Sequence, residues 1–250
     1  MAGLGPWILD GRGRKVIVPS GDGTVDIKGF GVIDRERLKE LDFGSNLELA
    51  GKRFKVYRPV LSDLLDTGIR KAQVVLIKDS AQIVARCGIG PGSVVAEAGL
   101  GSGFLTMALA LAVGEGGKVH SFEREERLGA TGVKNLERSG LISRVDVHWG
   151  DAVDGLGDLE GLDAVVLDLP EPWTLTETVR DALRGGGWLC TYLPTTNQVE
   201  KSVNAMRDGG FRDVYSIEVI EREIVVGDGG VRPAHDMLGH TAYLSFGRRE

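Results

Sequence analysis

The chain has 250 residues, 42% of them hydrophobic and 26% charged, the balance of a globular protein with enough length for one large domain, or a large and a small one. No apolar run approaches the roughly 20 residues of a membrane span, and Met1 to Val18 mixes glycines, Pro6 and charges, so the expectation is a cytoplasmic protein without an export leader. The net charge of −6 argues against an extensive nucleic-acid surface, but residues 1–70 carry 12 Lys and Arg against 10 Asp and Glu, which leaves 18 against 26 for the remainder; any RNA surface should therefore involve the N-terminal part.

From the start to about Arg58 the pattern is of short runs separated by glycines: Lys15–Val18, Thr24–Ile27, Gly31–Ile33 and Arg53–Val56. Such spacing predicts a small β-rich domain over 1–60. Lys52-Arg53-Phe54-Lys55-Val56-Tyr57-Arg58 sets four cations beside two aromatics, which suits either RNA or simply a strand with a solvated face. Residues 61–78 read as a linker with a short helix near Pro59–Ile69 and Ser62-Asp63 as cap residues.

Helices alternate with apolar strands over 79–250, and such alternation means a parallel sheet with crossover helices. Asp79 is expected to cap a helix through Cys87. Strands follow at Ser93–Ala96, Lys118–Phe122, Val145–Trp149, Ala164–Asp168 and Trp188–Leu193, with helices at Phe104–Val113 and near 126–139, 174–184 and 196–208. Val214–Val226 and Thr241–Phe246 are strand-like with no helix between them, which predicts an antiparallel hairpin at the sheet edge. Cys87 and Cys190 stand apart from any metal-ligand spacing and are expected to be inert, buried thiols; no metal is expected.

Between the first strand and its helix lies Glu97-Ala98-Gly99-Leu100-Gly101-Ser102-Gly103, and Glu123 closes the next strand. A tight strand-to-helix turn needs glycine, and an acid at the second strand end accepts the hydroxyls of a ribose. Dinucleotide sites usually place the third glycine one residue later and aim a helix at a pyrophosphate. Here it comes early, and Glu97 adds a negative charge that repels pyrophosphate but suits a cationic adenosyl ligand without phosphates. S-adenosylmethionine fits that description.

Ligands in open parallel sheets lie beyond the carboxyl ends of the strands. Those ends hold, besides the glycine turn and Glu123, Asp151, then Asp168-Leu169-Pro170-Glu171-Pro172-Trp173, then Pro194-Thr195-Thr196-Asn197-Gln198. The prolines stiffen the loop after Asp168. With Trp173 nearby, a carboxylate beside an aromatic surface suits a base that presents an amino group.

These segments, with Lys78-Asp79, Leu105-Thr106, Leu193–Val199, Arg232-Pro233 and Gly239–Leu244, resemble the class I S-adenosylmethionine-dependent methyltransferases and, more narrowly, the archaeal and bacterial tRNA (adenine-N1)-methyltransferases. Those enzymes act in the T loop around position 58, archaeal members also on the preceding adenine. The resemblance covers nearly the whole chain. It implies a Rossmann-like α/β fold with a mostly parallel seven-stranded sheet, and tRNA as partner. It implies further that Gly99, Leu100, Gly101, Ser102, Gly103, Phe104 and Leu105 wrap the methionine end of the cofactor, Glu123 holds the ribose, Asp151 lies at the adenine, and Asp168 stands between cofactor and target base, holding the amino group of a flipped adenine. Trp173, Arg232 and His240 are the candidates to receive that base, with a structural histidine at the start of a C-terminal strand as the equal alternative for His240. The resemblance implies S-adenosyl-L-homocysteine as the product and a homotetramer as the assembly. The family usually has Tyr or His before Pro-Lys-Asp, whereas this chain reads Leu76-Ile77-Lys78-Asp79. Competing readings are a methyltransferase of the same fold acting on a protein carboxyl or a small molecule, a nicotinamide-dependent oxidoreductase, and a non-catalytic RNA-binding subunit; the intact glycines, Glu97, Glu123 and Asp168 weigh against the last two.

Overall fold

A computed structural model describes residues 6–250 except 12, 72 and 228. In the N-terminal part, β1 (Trp7–Gly11), β2 (Arg14–Val18), β3 (Thr24–Ile27), β4 (Gly31–Asp34), the short helix α1 (Arg35–Lys39), β5 (Asn46–Leu49) and β6 (Lys52–Tyr57) follow one another. An antiparallel sheet runs β2-β1-β6-β5, and β3 pairs with β4. Strand alternation gives this sheet two destinations. Trp7, Leu9, Val16, Val18, Phe54 and Val56 bury one face with Ile33, Leu38 and Leu47, while Ile8 and Ile17 join the main core beside Leu64 and Leu65. The small sheet is thus docked through its second face.

β1, β5 and α1 are additions to the sequence expectation. Trp7, Ile8 and Leu9 are all buried, so β1 lacks alternation, and β5 alternates over only four residues. Helix α1 depends on a single cap, the Glu36 amide donating to Asp34 Oδ1 at 3.0 Å.

Two helices lead into the large sheet, α2 (Leu61–Thr67) and α3 (Ile77–Arg86). Asp63, the third residue of α2, caps its start as expected by reaching back to accept the Val60 amide at 3.2 Å, and it takes the Lys15 ammonium at 2.8 Å. Asp79 is not a cap. Helix α3 begins two residues earlier, and the Asp79 carboxylate is fully buried against Lys78 Nζ at 2.8 Å and Thr241 Oγ1 at 2.8 Å. A buried charge needs a partner more than a helix end needs a cap.

Then come β7 (Val94–Ala98), α4 (Phe104–Val113), β8 (Lys118–Glu123), α5 (Glu126–Ser139), β9 (Val145–Trp149), α6 (Ala152–Gly155), β10 (Leu162–Leu167), α7 (Thr176–Ala182), β11 (Leu183–Leu193), α8 (Thr196–Asp208), β12 (Arg212–Glu218), β13 (Ile224–Gly227), β14 (Gly230–Pro233) and β15 (Tyr243–Arg248). The sheet order is β12-β15-β11-β10-β7-β8-β9, parallel from β11 to β9 and antiparallel where β15 meets its neighbours. Helix α4 is apolar around most of its circumference because it is covered on most sides, by the sheet and by α2, α3 and α5. The expected strand over 214–226 ends at Glu218 instead. Ile224–Gly227 leaves the sheet and folds back on Gly230–Pro233 as a separate hairpin, and β15 runs inside the sheet between β11 and β12. Cys87 and Cys190 are buried and unpaired, as expected. Among the described residues, no helix is long and apolar enough to cross a membrane.

Asn135 of α5 stitches three segments together. Its Oδ1 accepts from the Ile69 amide and its Nδ2 donates to the carbonyls of Ile69 and Ser102, each at 2.9 Å. Because Asn135 is buried, Asn135→Ala strands polar groups that each cost about 1–3 kcal/mol. Urea unfolding should show a loss of at least about 2 kcal/mol; an unchanged midpoint would mean that water replaces the side chain.

Candidate active site

Where the chain leaves β7 it builds β8 and β9 on one side, then returns to build β10 and β11 on the other. The β7/β10 pair is therefore the switch point of the sheet, and the crevice beyond its carboxyl end is where ligands of such sheets bind. Ala98 pairs with Leu167, and the next residue, Asp168, donates its amide to the Ala98 carbonyl at 2.5 Å. That bond anchors the start of the Asp168 loop against the start of the glycine turn.

The turn itself is shaped by contacts that exclude side chains. Gly101 and Gly103 have φ of +51° and +74°, a region L-residues avoid. A Cβ on Gly103 would lie 3.0 Å from Gly132 Cα, and a Cβ on Gly132 would lie 2.8 Å from Leu100 Cγ and 2.9 Å from the Gly101 carbonyl. The backbone of the turn lies directly on α5. The Leu100 amide donates to the Phe122 carbonyl at 3.1 Å, and the Gly101 amide to Glu123 Oε2 at 2.8 Å. Glu123 Oε1 takes the Glu125 amide at 2.8 Å. Each oxygen keeps a further lone pair, so the carboxylate fixes the turn and remains able to accept hydroxyls. Ser102, Phe104 and Leu105 are buried behind the turn.

A small cleft opens here between Ala98, Gly99, Phe122, Glu123, Gly150, Asp151 and Leu169. Asp151 caps α6, accepting the Val153 amide at 3.1 Å, and also borders the cleft, 3.9 Å from the Arg124 guanidinium. Glu97 is buried under the turn. Its Oε1 accepts from Ser121 Oγ at 2.7 Å, while Oε2 has no partner among the described residues. Burial, with the nearby charges of Asp168 and Glu123, pushes its carboxyl up to about 7. Asp168 stands at the open floor of the crevice, reached by solvent yet crowded by protein, and this desolvation pushes its carboxyl up to about 6. Two acids with raised affinity for protons beside an open crevice are a functional-site signature.

The other expected residues are placed elsewhere. The Trp173 ring lies under Lys201 Nζ at 5.0 Å and lines a groove with Ala205, Asp208 and Gly209 at the end of α8; its neighbours are that helix rather than Asp168. Arg232 is exposed on the β13–β14 hairpin, with Nη1 donating to the Pro233 carbonyl at 3.2 Å. His240 joins two segments, its Nδ1 2.7 Å from Glu218 Oε1 and its Nε2 3.0 Å from the Pro194 carbonyl. With acceptors at both ring nitrogens, and the Glu218 bond foremost, its pKa is raised and the imidazolium is favoured. The geometry is that of a brace. Leu76 packs against the main core as the residue ahead of α3.

Sequence reasoning passed over Gly129, Gly132 and Tyr192. A Cβ on Gly129 would strike the Trp149 ring at 2.6 Å, so two glycines one helical turn apart on α5 let β9 and the glycine turn approach; two glycines three apart within a helix were the available signal. The Tyr192 hydroxyl is buried without a partner among the described residues, and its pKa is raised by burial and then by Asp79 and Asp168. Lys78, Asp79 and Thr241 form one buried group close to it: Lys78 Nζ reaches Thr241 Oγ1 at 2.6 Å and the Val219 carbonyl at 2.8 Å. This ties α3 to the final strand of the sheet.

The residues fit an adenosyl-sulfonium ligand. Gly99 leaves a cradle whose added Cβ would sit 3.4 Å from Glu123 Oε2, and Glu123, Asp151 and Asp168 give the crevice an acidic character suited to a cation.

Comparison with known proteins agrees. The model of the tRNA methyltransferase complex GCD14 subunit matches residues 67–231. The chain is 34% identical to tRNA (adenine(57)-N(1)/adenine(58)-N(1))-methyltransferase TrmI of Methanocaldococcus jannaschii, over 96% of this chain and 93% of that one. Among solved structures, it is similar to an S-adenosylmethionine-dependent O-methyltransferase of Thermotoga maritima (TM-score 0.80, 29% identity, 100% of this chain and 94% of that one). It is also similar to tRNA (m1A58) methyltransferase TrmI of Aquifex aeolicus (TM-score 0.75, 27% identity, 100% and 98%).

Gly132→Ala forces a methyl group into Leu100 and the Gly101 carbonyl. Overpacking of this kind costs about 1–3 kcal/mol, and it displaces the turn itself. Calorimetry with S-adenosylmethionine should therefore show at least tenfold weaker binding, roughly the effect of 1.4 kcal/mol, together with a lower melting temperature; unchanged binding would show that the turn yields without cost.

Proposed function

The chain belongs to the GCD14 family of tRNA methyltransferases, and from this we infer that it transfers a methyl group from S-adenosylmethionine to N1 of an adenine in the T loop of tRNA. The observation that carries the reading is the position of Asp168, fixed to Ala98 at the switch point beside the glycine turn, in a chain matched to such enzymes over nearly its whole length.

The Gly99–Gly103 turn and Glu123 are assigned to hold the cofactor, with Asp151 at its adenine, while Glu97, Ser102, Phe104 and Leu105 support the turn from beneath and behind. S-adenosylmethionine bound there supplies a methyl group made electrophilic by a sulfonium. Adenine N1 carries its lone pair in the ring plane, so the nucleophile loses no proton before it reacts. The task left to the protein is alignment and charge. Positive charge develops on the adenine during methylation, and its exocyclic amino group becomes more acidic. Asp168 accepts a hydrogen bond from that amino group and stabilises the charge. N1 is hidden in a folded RNA, so the base is swung out to reach the crevice, at a cost of a few kcal/mol. Arg232 on its exposed hairpin and Trp173 beside Lys201 meet the RNA around the flipped base rather than the base itself, and His240 positions the Pro194 loop.

The expected assembly is a homotetramer. The β13–β14 hairpin exposes Ile224, Val225, Val226 and Val231, with Ile220, Met237 and Leu238 nearby in sequence, more apolar surface than a lone chain needs. A second copy of the chain is its natural cover.

Three experiments test this reading. Incubation with labelled cofactor and unmodified tRNA, followed by nucleoside mapping, should give 1-methyladenosine in the T loop; label in protein or a small molecule instead would overturn the acceptor. Asp168→Asn should lower kcat by about a hundredfold or more while leaving cofactor affinity within a few-fold. Because the carboxylate is the working form, kcat/KM should fall as pH drops through about 6, and the residual activity of Asp168→Asn should lack that limb; a flat profile in the wild type would remove Asp168 from the mechanism. Val226→Glu with Val231→Glu should convert a tetramer into smaller species by light scattering, and a persisting tetramer would show that the hairpin is covered otherwise.

A further inference from the structure

A larger cavity than the cleft at the glycine turn is found outside this crevice. It lies in the N-terminal part, has a volume of about 510 Å³, and is lined by Arg14, Phe30, Lys52, Arg53 and Phe54 with the small residues of the adjoining turns. That volume is in the range of sites that hold small ligands, ~300–1,000 Å³. Its walls are the β1–β2 edge, the Gly29-Phe30 turn between β3 and β4, and the Leu49–Gly51 turn into β6.

The chemistry of the lining is specific. Three of its residues are cationic and none is acidic, in a protein whose net charge is −6. The Arg14 guanidinium lies 4.5 Å over the Phe30 ring, and the Phe30 and Phe54 ring centres are 5.5 Å apart. The guanidinium thus covers a face of Phe30, and the Phe54 ring meets Phe30 at a tilt of 51°. Two close approaches preserve the space: a Cβ on Gly11 would strike the Phe54 ring at 2.6 Å, and one on Gly29 would strike Arg14 Nη2 at 2.8 Å. At the rim Ala50 holds φ of +48° beside Gly51, so a non-glycine residue occupies the left-handed region where β5 turns into β6.

We propose that this cavity binds one unstacked nucleotide of the RNA substrate, its base against Phe30 and the Arg14 guanidinium and its phosphate held by Lys52, which shares the Phe54 face of β6. Single-stranded nucleotides are recognised in this way, by stacking on aromatic rings or guanidinium planes with cations on the backbone. An anionic ligand without a flat face would leave the aromatic and guanidinium surfaces unused, and an apolar peptide would strand the cations. The site is separate from the reacting base and shares no residue with the crevice at Asp168. It anchors the tRNA, so its effect falls on KM rather than on kcat. The proposal rests on the reading of tRNA as substrate.

Phe30→Leu keeps an apolar side chain while removing the flat surface, and Arg14→Gln alters an exposed position, so the second variant serves if the first does not fold. Methylation of a tRNA transcript by the wild type is measured first; its failure would refute the tRNA reading itself. Given that activity, each variant should raise KM for tRNA about tenfold with kcat within twofold. Fluorescence titration with a short oligouridylate, which offers no target adenine, should show binding to the wild type that both variants weaken by a similar factor. Lys52→Gln, which removes the phosphate contact, should flatten the salt dependence by about one counterion. Unchanged KM and oligouridylate affinity in both folded variants would overturn the proposal, as would AMP binding as tightly as the oligonucleotide, which would identify a free nucleotide as the occupant.

Discussion

The backbone of the Gly99–Gly103 turn rests on the backbone of α5 at Gly132, with no room for a side chain on either side of the contact. Much of the crevice follows from that closeness. It brings Leu100 under the end of β8, lets Glu123 take the Gly101 amide, and holds Ser102 where Asn135 reaches its carbonyl. The usual solution for a nucleotide turn keeps a third glycine within the turn for helix packing. Here the close approach is shared with Gly132, on the following helix.

The second organising feature is charge. Glu123, Asp151 and Asp168 follow the ends of β8, β9 and β10, and Arg124 is the basic residue that lines the cleft among the described residues. A crevice of this sign disfavours a pyrophosphate and favours a sulfonium. The opposite sign is found at the other end of the chain, where the N-terminal cavity gathers Arg14, Lys52 and Arg53 without an acid. The chain thus carries an acidic crevice and, apart from it, a basic cavity. The separation keeps each set of charges from neutralising the other, and the double-faced β1–β2 pair, with Ile8 and Ile17 in the main core, holds the two parts together.

Agreement between sequence and structure is best where one physical cause acts alone. Helices Phe104–Val113, 126–139 and 196–208 run as their periodicity predicts, because long amphipathic or fully covered segments have one favourable arrangement. Disagreement arises where two causes compete. Asp79 resembles a helix cap, but Lys78 and Thr241 draw its carboxylate into the interior. Trp173 stands five residues from Asp168, but the short helical turn at Pro172–Leu175 packs against α8, and the ring follows the helix. The apolar run after Glu218 resembles a continuous strand, yet Ile224–Gly227 finds its partner across the glycines that follow it.

By itself the sequence determined the alternating α/β order, the glycine turn with its flanking acids, and the family, because these reside in local pattern and in residue types at fixed spacing. Tertiary structure alone decided that Gly132 completes the turn, that His240 braces a loop between Glu218 and Pro194, and that Phe30, Arg14 and Phe54 meet beside a cavity. Each of those depends on which distant segments the fold brings into contact, and no spacing along the chain encodes a contact between residues that meet only after the sheets have formed and docked.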